Sequence, residues 1–203
     1  MRIGVLASHE GSVLQAVLDA CADSTTDARL CGRVSVVISN NSDSGALRRA
    51  RDAGIPALHL SSVTHPSPAA LDYAIARALD DASVDLVVLA GYMKRLGPAT
   101  LARFADRLIN THPSLLPKFG GSGYFGSAVH AAVLAAGERE SGVTVHWVAG
   151  DYDTGPIIAQ ARVPIADAET PASLEAKVKL AERELLIETL VRLSNRHRSS
   201  KSA

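Results

Sequence analysis

The chain has 203 residues, of which 47% are hydrophobic, so it is long enough to bury one sizeable core. Lys and Arg together number 21, and so do Asp and Glu, which gives a formal net charge of zero. Proteins that bind nucleic acid through its phosphates need an excess of cationic side chains, and aromatic residues for base stacking make up only 4% here. The composition therefore argues against nucleic-acid binding but leaves room for a small phosphorylated substrate.

The sequence contains two cysteines, Cys21 and Cys31, and neither belongs to a CxxC pair. Two isolated thiols cannot form a disulfide framework, and they lack the spacing of a metal or redox site. The first apolar run, at residues 3–7, is shorter than a signal-peptide core, and no apolar run reaches the length of a membrane span. We therefore expect a cytoplasmic protein that does not associate with membranes.

The first half of the chain alternates short apolar runs with segments of helical periodicity. The apolar runs predict strands at 3–7, 34–38, 57–60 and 84–90. The periodic segments predict helices at 12–22, 46–53 and 68–79. Strand and helix alternating with short connections indicate right-handed βαβ units, so we predict an α/β fold with a mostly parallel central sheet and helices on both faces.

The second half is less regular. Its apolar patterns predict strands at 107–111, 142–148 and 157–163 and helices at 98–104, 128–136 and 170–193. We find no linker composition and no internal repeat, and therefore predict a single domain over residues 1–193. The serine-rich and basic residues 194–203 are expected to form a disordered tail.

A glycine-rich segment at residues 121–126 reads GSGYFG and matches the GxGxxG string of dinucleotide-binding proteins. That fingerprint requires a strand directly before it within a βαβ unit. Residues 113–118 precede it instead and contain two prolines. We therefore interpret residues 119–126 as a flexible loop near a site rather than as a dinucleotide site.

The first turn after a strand is a second candidate site. Gly11 and Ser12 open the first predicted helix, at the position where open α/β sheets bind anions. Free amides of the helix start, together with the Ser12 hydroxyl, could hold a phosphate. The local sequence is equally compatible with Ser12 acting only as the helix N-cap.

The segment 110–117 reads NTHPSLLP and contains the most informative polar residues. Asn110 and His112 are two apart on a predicted strand, so their side chains project to the same side. An amide and an imidazole together can donate hydrogen bonds to a developing oxyanion. Asp153, in a loop that Gly155 and Pro156 turn sharply, could hydrogen-bond the imidazole, orient it and favour its charged form.

One further histidine, His146, lies on a predicted strand. It could support these residues, but we favour the interpretation that it is a packed core histidine. No group of residues has the spacing of a metal site, so we expect no metal.

The combination of NTHPSLLP at 110–117 and DTGP at 153–156 resembles the folate-dependent formyltransferases. The resemblance extends from residue 3 to about residue 190. Two further motifs, GSVLQ at 11–15 and KLAE at 179–182, resemble the branch of the family that acts on glycinamide ribonucleotide.

The resemblance implies a Rossmann-like formyltransferase fold and a one-carbon transfer of purine biosynthesis. The formyl group of 10-formyltetrahydrofolate, the co-substrate, would pass to the amine of glycinamide ribonucleotide through a tetrahedral intermediate. The implied partner is this small molecule, with no nucleic acid or membrane, and the protein would be a monomer or a homodimer.

The resemblance also assigns roles to residues, position by position. The catalytic residues would be Asn110, His112 and Asp153. Those that contact the phosphate and ribose of the substrate would be Gly11, Ser12, Val13, Lys179 and Glu182. Those that line the folate pocket would be Met93, Lys94, Arg95, Leu96, Asn110, Ala149, Gly150, Asp151 and Tyr152.

Two alternatives stay open at this point. A formyltetrahydrofolate hydrolase would use water as the acceptor, although such proteins carry an N-terminal regulatory domain that we do not expect before Ile3. The protein could also be a degenerate nucleotide- or folate-binding module without transfer activity. His9 and Val13 favour that reading, because the first turn of the family is typically Ser-Gly-x-Gly-Ser-Asn.

Overall fold

A computed structural model describes residues 1–23 and 30–201. Its strands join in one sheet in the order β3-β2-β1-β4-β5-β6-β7. They are β1 Arg2–Leu6, β2 Arg33–Ser39, β3 Ala57–His59, β4 Leu86–Leu89, β5 Leu108–His112, β6 Glu140–Trp147 and β7 Ile157–Pro164. The helices are α1 Ser12–Ala22, α2 Gly45–Asp52, α3 Pro68–Asp81, α4 Pro98–Arg103, α5 Ser127–Ala135 and α6 Pro171–Lys201.

Contacts within the chain divide it into two compact units. The first contains Met1–Ile109 and the chain from Leu190 onward, and the second is Asn110–Thr189. No break in composition or periodicity marks this division in the sequence, and the single domain over 1–193 remains a prediction.

The first unit is built around parallel strands. Strand β1 pairs in parallel with both β2 and β4, with Val5 opposite Val37 and Val88. Ile3, Val5 and Leu6 are fully buried, because a parallel strand is covered on both faces and therefore consists of a continuous apolar run. A Cβ on Gly4 would lie 2.6 Å from Leu79 Cδ2 of α3, so glycine allows this helix to pack directly on the strand.

The second unit contains an antiparallel pair. Strands β6 and β7 are paired with Val143 opposite Ala161. Strand β6 is buried over most of its length, and on it the hydroxyl of Thr144 donates a hydrogen bond of 2.7 Å to the Ser114 carbonyl. This bond and one from the Leu116 amide to the same hydroxyl attach the NTHPSLLP segment to the pair.

The predicted helices and strands are confirmed with small differences at their ends, except at the C-terminus. We expect a disordered tail from residue 194, but α6 continues to Lys201, so this prediction is wrong for residues 194–201. No glycine or proline stops the helix there. In addition, His197 Nε2 lies 3.5 Å from Asp85 Oδ2, and Arg198 approaches the Cys31 sulfur at 3.7 Å. Residues 202–203 lie outside the described residues.

Across the part of the chain that the structure describes, no helix combines the length and the apolar character needed to cross a bilayer.

Candidate functional site

Strand β5 carries two of the predicted site residues. Asn110 and His112 alternate with Thr111 along this strand, so both project to one side, as the period of two predicts. His112 is 4% exposed and Asn110 is half-buried. The strand therefore presents an amide and an imidazole together, in surroundings largely shielded from water.

Asp153 reaches these two side chains from the loop between β6 and β7. Its Oδ2 lies 3.3 Å from His112 Nδ1, and its Oδ1 lies 3.4 Å from Asn110 Nδ2. The side chain of Asp153 is 9% exposed. The structure thus brings the three residues together, although 41 positions (153 − 112) separate the carboxylate from the imidazole.

Local backbone geometry holds the carboxylate in place. Asp153 has a φ of 56°, in the left-handed region, and the Gly121 amide donates a hydrogen bond of 2.9 Å to its Oδ2. A Cβ on Gly155 would lie 1.7 Å from the Trp147 carbonyl oxygen, so only glycine permits this close approach in the turn. Burial opposes ionisation of Asp153, but the His146 ring, the Gly121 amide and the His112 ring outweigh it and lower the pKa of the carboxyl.

His112 has an oxygen acceptor at each ring nitrogen. Nδ1 faces Asp153, and Nε2 lies 2.7 Å from the Phe119 carbonyl oxygen. We expect the carboxylate to favour the charged imidazole, and it acts in that direction. Burial is the larger effect, however, and it lowers the pKa of His112 below its ordinary value. The net direction is therefore opposite to the one that the sequence predicts.

His146 also belongs to this cluster. Its Nε2 lies 3.1 Å from Asn110 Nδ2 and 3.5 Å from Asp153 Oδ1, and its Nδ1 lies 2.9 Å from the Trp147 carbonyl oxygen. The interpretation as only a packed histidine is wrong, although the side chain is indeed buried.

On α6, Glu182 is held by strand β5. The Thr111 hydroxyl donates a hydrogen bond of 2.5 Å to Glu182 Oε1. Burial raises the pKa of Glu182 despite this bond and the nearby Lys179 charge. Lys179 pairs with Glu175 one turn earlier, at 2.5 Å. Lys179 and Glu182 therefore do not form with each other the i, i+3 ion pair that their spacing on a helix would allow.

The first turn lies in the other unit, where Gly11 and not Ser12 is the N-cap of α1. Gly11 has a φ of 71° and its neighbour Ser12 is the first helical residue. The cap makes no side-chain hydrogen bond, so the interpretation of Ser12 as an N-cap is wrong. Val13 is buried, which leaves backbone amides and the exposed Ser12 hydroxyl as the donors at this helix start.

The residues expected to line a folate pocket fall in both units. In the first unit, the Met93 amide donates a hydrogen bond of 2.8 Å to the Ser8 hydroxyl, while Leu96 is buried. In the second unit, Gly150 adopts a φ of 52° and Tyr152 is 51% exposed. Among the described residues, no three His, Cys, Asp or Glu side chains are grouped so that they could hold a metal ion.

Comparison with known families identifies the family of this chain. The model of the formyl transferase family matches residues 1–190. The chain belongs to the formyl transferase family. This membership and the sheet order confirm the predicted α/β formyltransferase fold with a mostly parallel sheet.

Individual formyl transferases are similar over most of the chain. The phosphoribosylglycinamide formyltransferase of Escherichia coli (strain K12) is 40% identical over 90% of this chain and 82% of the relative. The chloroplastic phosphoribosylglycinamide formyltransferase of Arabidopsis thaliana is 36% identical over 93% of this chain, which spans 64% of that relative. The crystal structure of glycinamide ribonucleotide transformylase 1 from Symbiobacterium toebii is 41% identical with a TM-score of 0.87, covering 96% of this chain and 88% of the other.

Proposed function

We propose that this formyl transferase moves the formyl group of 10-formyltetrahydrofolate to the primary amine of glycinamide ribonucleotide, a step of purine biosynthesis. The convergence of Asn110, His112 and Asp153 within 3.4 Å is the observation that carries the proposal. The names of the similar proteins support the choice of substrate. The proposal includes a cytoplasmic location and a monomer or homodimer.

The chemistry requires a new bond before the old one breaks. The amine nitrogen attacks the formyl carbon, and the carbonyl oxygen of the resulting tetrahedral intermediate carries developing negative charge. The bond from that carbon to the folate nitrogen then breaks. One proton leaves the amine, and one proton reaches the folate nitrogen, so the proton count balances.

In this scheme Asn110 and His112 stabilise the oxyanion. Asn110 donates through Nδ2, and His112 donates through Nε2 once the substrate oxygen has replaced the Phe119 carbonyl, which occupies Nε2 in the free protein. Preorganised donors in a site shielded from water are each worth about 10²–10³ in rate. The burial of His112 meets the requirement for shielding.

In this scheme Asp153 determines which nitrogen of the His112 imidazole carries the hydrogen. Its carboxylate lies against Nδ1, so once the substrate has replaced the Phe119 carbonyl it favours the tautomer that carries the hydrogen on Nδ1. Nε2 can then accept the amine proton, and it donates to the oxyanion only after it has done so. His112 then holds this proton as imidazolium beside the oxyanion and passes it to the departing folate nitrogen. The lowered pKa of His112 is consistent with a ring that starts the cycle neutral.

The remaining predicted residues would bind the two ligands. The amides at Gly11–Val13 stand at an uncapped helix start, which suits a phosphate. Lys179 and Glu182 would address the ribose and phosphate end, with the Glu182 carboxyl already held by Thr111. Met93–Leu96 and Ala149–Tyr152 would line the folate pocket.

An absorbance assay for folate deformylation, run with and without glycinamide ribonucleotide, tests the proposal. We expect product only when both ligands are present. Deformylation at the same rate with folate alone would favour the hydrolase. No reaction, together with no calorimetric binding of glycinamide ribonucleotide at millimolar concentration, would favour the degenerate binding module, a reading consistent with the buried Val13.

A further inference from the structure

The buried ring of His146 has only one arrangement of hydrogens that suits its neighbours when it is neutral. Nδ1 lies 2.9 Å from the Trp147 carbonyl oxygen, which can only accept a hydrogen bond, so Nδ1 carries the hydrogen. Nε2 is then a bare acceptor. It faces Asn110 Nδ2 at 3.1 Å, and an amide nitrogen can only donate. Asp153 Oδ1 lies farther from Nε2, at 3.5 Å, so the amide is the nearer partner of the neutral ring.

This arrangement accounts for both hydrogens of the Asn110 amide nitrogen. One is held by His146 Nε2 at 3.1 Å, and the other points to Asp153 Oδ1 at 3.4 Å, close to the limit of a hydrogen bond. The weaker bond is the one that a developing oxyanion can replace. The stronger bond fixes which end of the amide faces the reacting oxygen, because a turned amide would present its own oxygen to the bare Nε2.

We propose that His146 is a positioning residue for formyl transfer: its neutral ring holds one hydrogen of the Asn110 amide and so directs the other at the formyl oxygen. The proposal rests on the proposed function, in which Asn110 stabilises the oxyanion. The burial of His146, which is 2% exposed, keeps water from competing for Nε2.

Two substitutions distinguish the effect of the Nε2 acceptor of His146 from the effect of the shape of its ring. His146→Phe keeps an aromatic ring but removes the acceptor, and we expect kcat to fall about tenfold to a hundredfold, as for other partners that orient an active group. The KM for both ligands should stay within about twofold, because His146 touches neither ligand in this scheme. His146→Gln offers an amide oxygen as acceptor and should recover most of the lost kcat. His65→Phe, a change of the same kind at a partly exposed position in the other unit, is the control.

A double-substitution cycle decides whether His146 acts through Asn110. In an Asn110→Ala background there is no amide left to orient, so His146→Phe should lower kcat by less than about threefold. An equal loss in both backgrounds would overturn the proposal, and so would a wild-type kcat in His146→Phe.

A measurement without substrate keeps the proposal testable whether or not the protein transfers formyl groups. The two side-chain amide protons of Asn110 should have widely separated NMR shifts in the wild-type protein and in His146→Gln. In His146→Phe they should move together. Nearly equal shifts in the wild-type protein would contradict the positioning role. Wild-type shifts as expected, without formyl transfer, would contradict only the proposed function.

Discussion

At the scale of single residues, His112 has an oxygen acceptor at each ring nitrogen, and the proposed reaction depends on the charge of this ring. A neutral ring can donate to only one of Asp153 and Phe119, whereas an imidazolium could donate to both. Burial nevertheless lowers the pKa of His112, and Asp153 only partly opposes this effect. The lowered pKa favours a neutral ring at physiological pH, and in the proposed reaction this ring gains its proton from the substrate amine.

This balance predicts an acid limb in the pH dependence of kcat/KM. Activity needs neutral His112, so it should rise with pH through a midpoint below about 6.5, the ordinary value for histidine. Asp153→Asn removes the charge that raises the pKa of His112, so the residual activity should show its midpoint at lower pH. Asp81→Asn, at an exposed carboxylate paired with Arg77, is the control. A midpoint above 6.5, or an upward shift in Asp153→Asn, would contradict this role.

Individual site residues differed in how far the sequence could predict them. The shared direction of Asn110 and His112 follows from the period of a strand. The approach of Asp153 depends on the path of a loop, so the sequence offered it only as a possible partner of the imidazole, and the family resemblance added its catalytic role. The contact of His146 with Asn110 depends on which strands are neighbours in the sheet, and the net effect of burial on His112 depends on the whole surrounding core. Neither property is local in sequence.

At the scale of elements, the loop between β6 and β7 positions the carboxylate. Its tightest point is Gly155, where any Cβ would collide with the backbone of Trp147. The collision cannot be relieved by a side-chain rotation, because the obstructing atom is a carbonyl oxygen. The backbone must therefore shift, and Asp153 lies two residues away.

We expect Gly155→Ala to lower both thermal stability and kcat, the latter by at least about tenfold, since small misplacements of reacting groups cost up to about a hundredfold. Gly137→Ala is the matched control. It also places a side chain on a glycine, with a φ of 67°, but meets nothing within 4 Å. It should lose stability through backbone strain and keep its kcat. Wild-type kcat in Gly155→Ala would show that the loop does not set the position of Asp153.

Element ends were the least predictable part of the fold. The tail was expected to fray because residues 194–203 are polar, yet polar composition alone does not end a helix. Ser194 is 1% exposed and its hydroxyl donates a hydrogen bond of 2.9 Å to the Val191 carbonyl within the helix. The anchoring contacts of His197 and Arg198 are tertiary and have no signature in the sequence.

At the scale of the whole molecule, the site affects how stability depends on pH. Folding lowers the pKa of Asp153. Its contribution to the free energy of unfolding is therefore present above its unfolded pKa and is lost as pH falls through its folded pKa. The lowered pKa of His112 also makes the folded protein less stable in acid, because the unfolded chain takes up a proton more readily than the buried ring does. The pKa of Glu182 is raised in the folded protein. Its contribution to the free energy of unfolding is therefore present at low pH and is lost as pH rises through this raised pKa.

Replacing Glu182 isolates its contribution to stability, whose pH dependence is opposite to that of Asp153 and His112. Glu182→Gln cannot ionise, so its Tm relative to the wild-type protein should increase as pH rises above about 4.5, the ordinary value for a glutamate carboxyl. Thermal melts at a series of pH values measure this difference. Glu184→Gln, at an exposed neighbouring position, is the control. A Glu182→Gln difference that shrinks with pH would contradict the assigned direction.

The most direct measurement is turnover of the wild-type protein, His112→Ala and Asp153→Asn under saturating concentrations of both ligands, with circular dichroism to verify the fold. Formyl transfer by this cluster predicts that each substitution lowers kcat at least about a hundredfold with the fold intact. Nearly normal turnover in either folded variant would show that the imidazole and carboxylate, although 3.3 Å apart, do not perform the reaction.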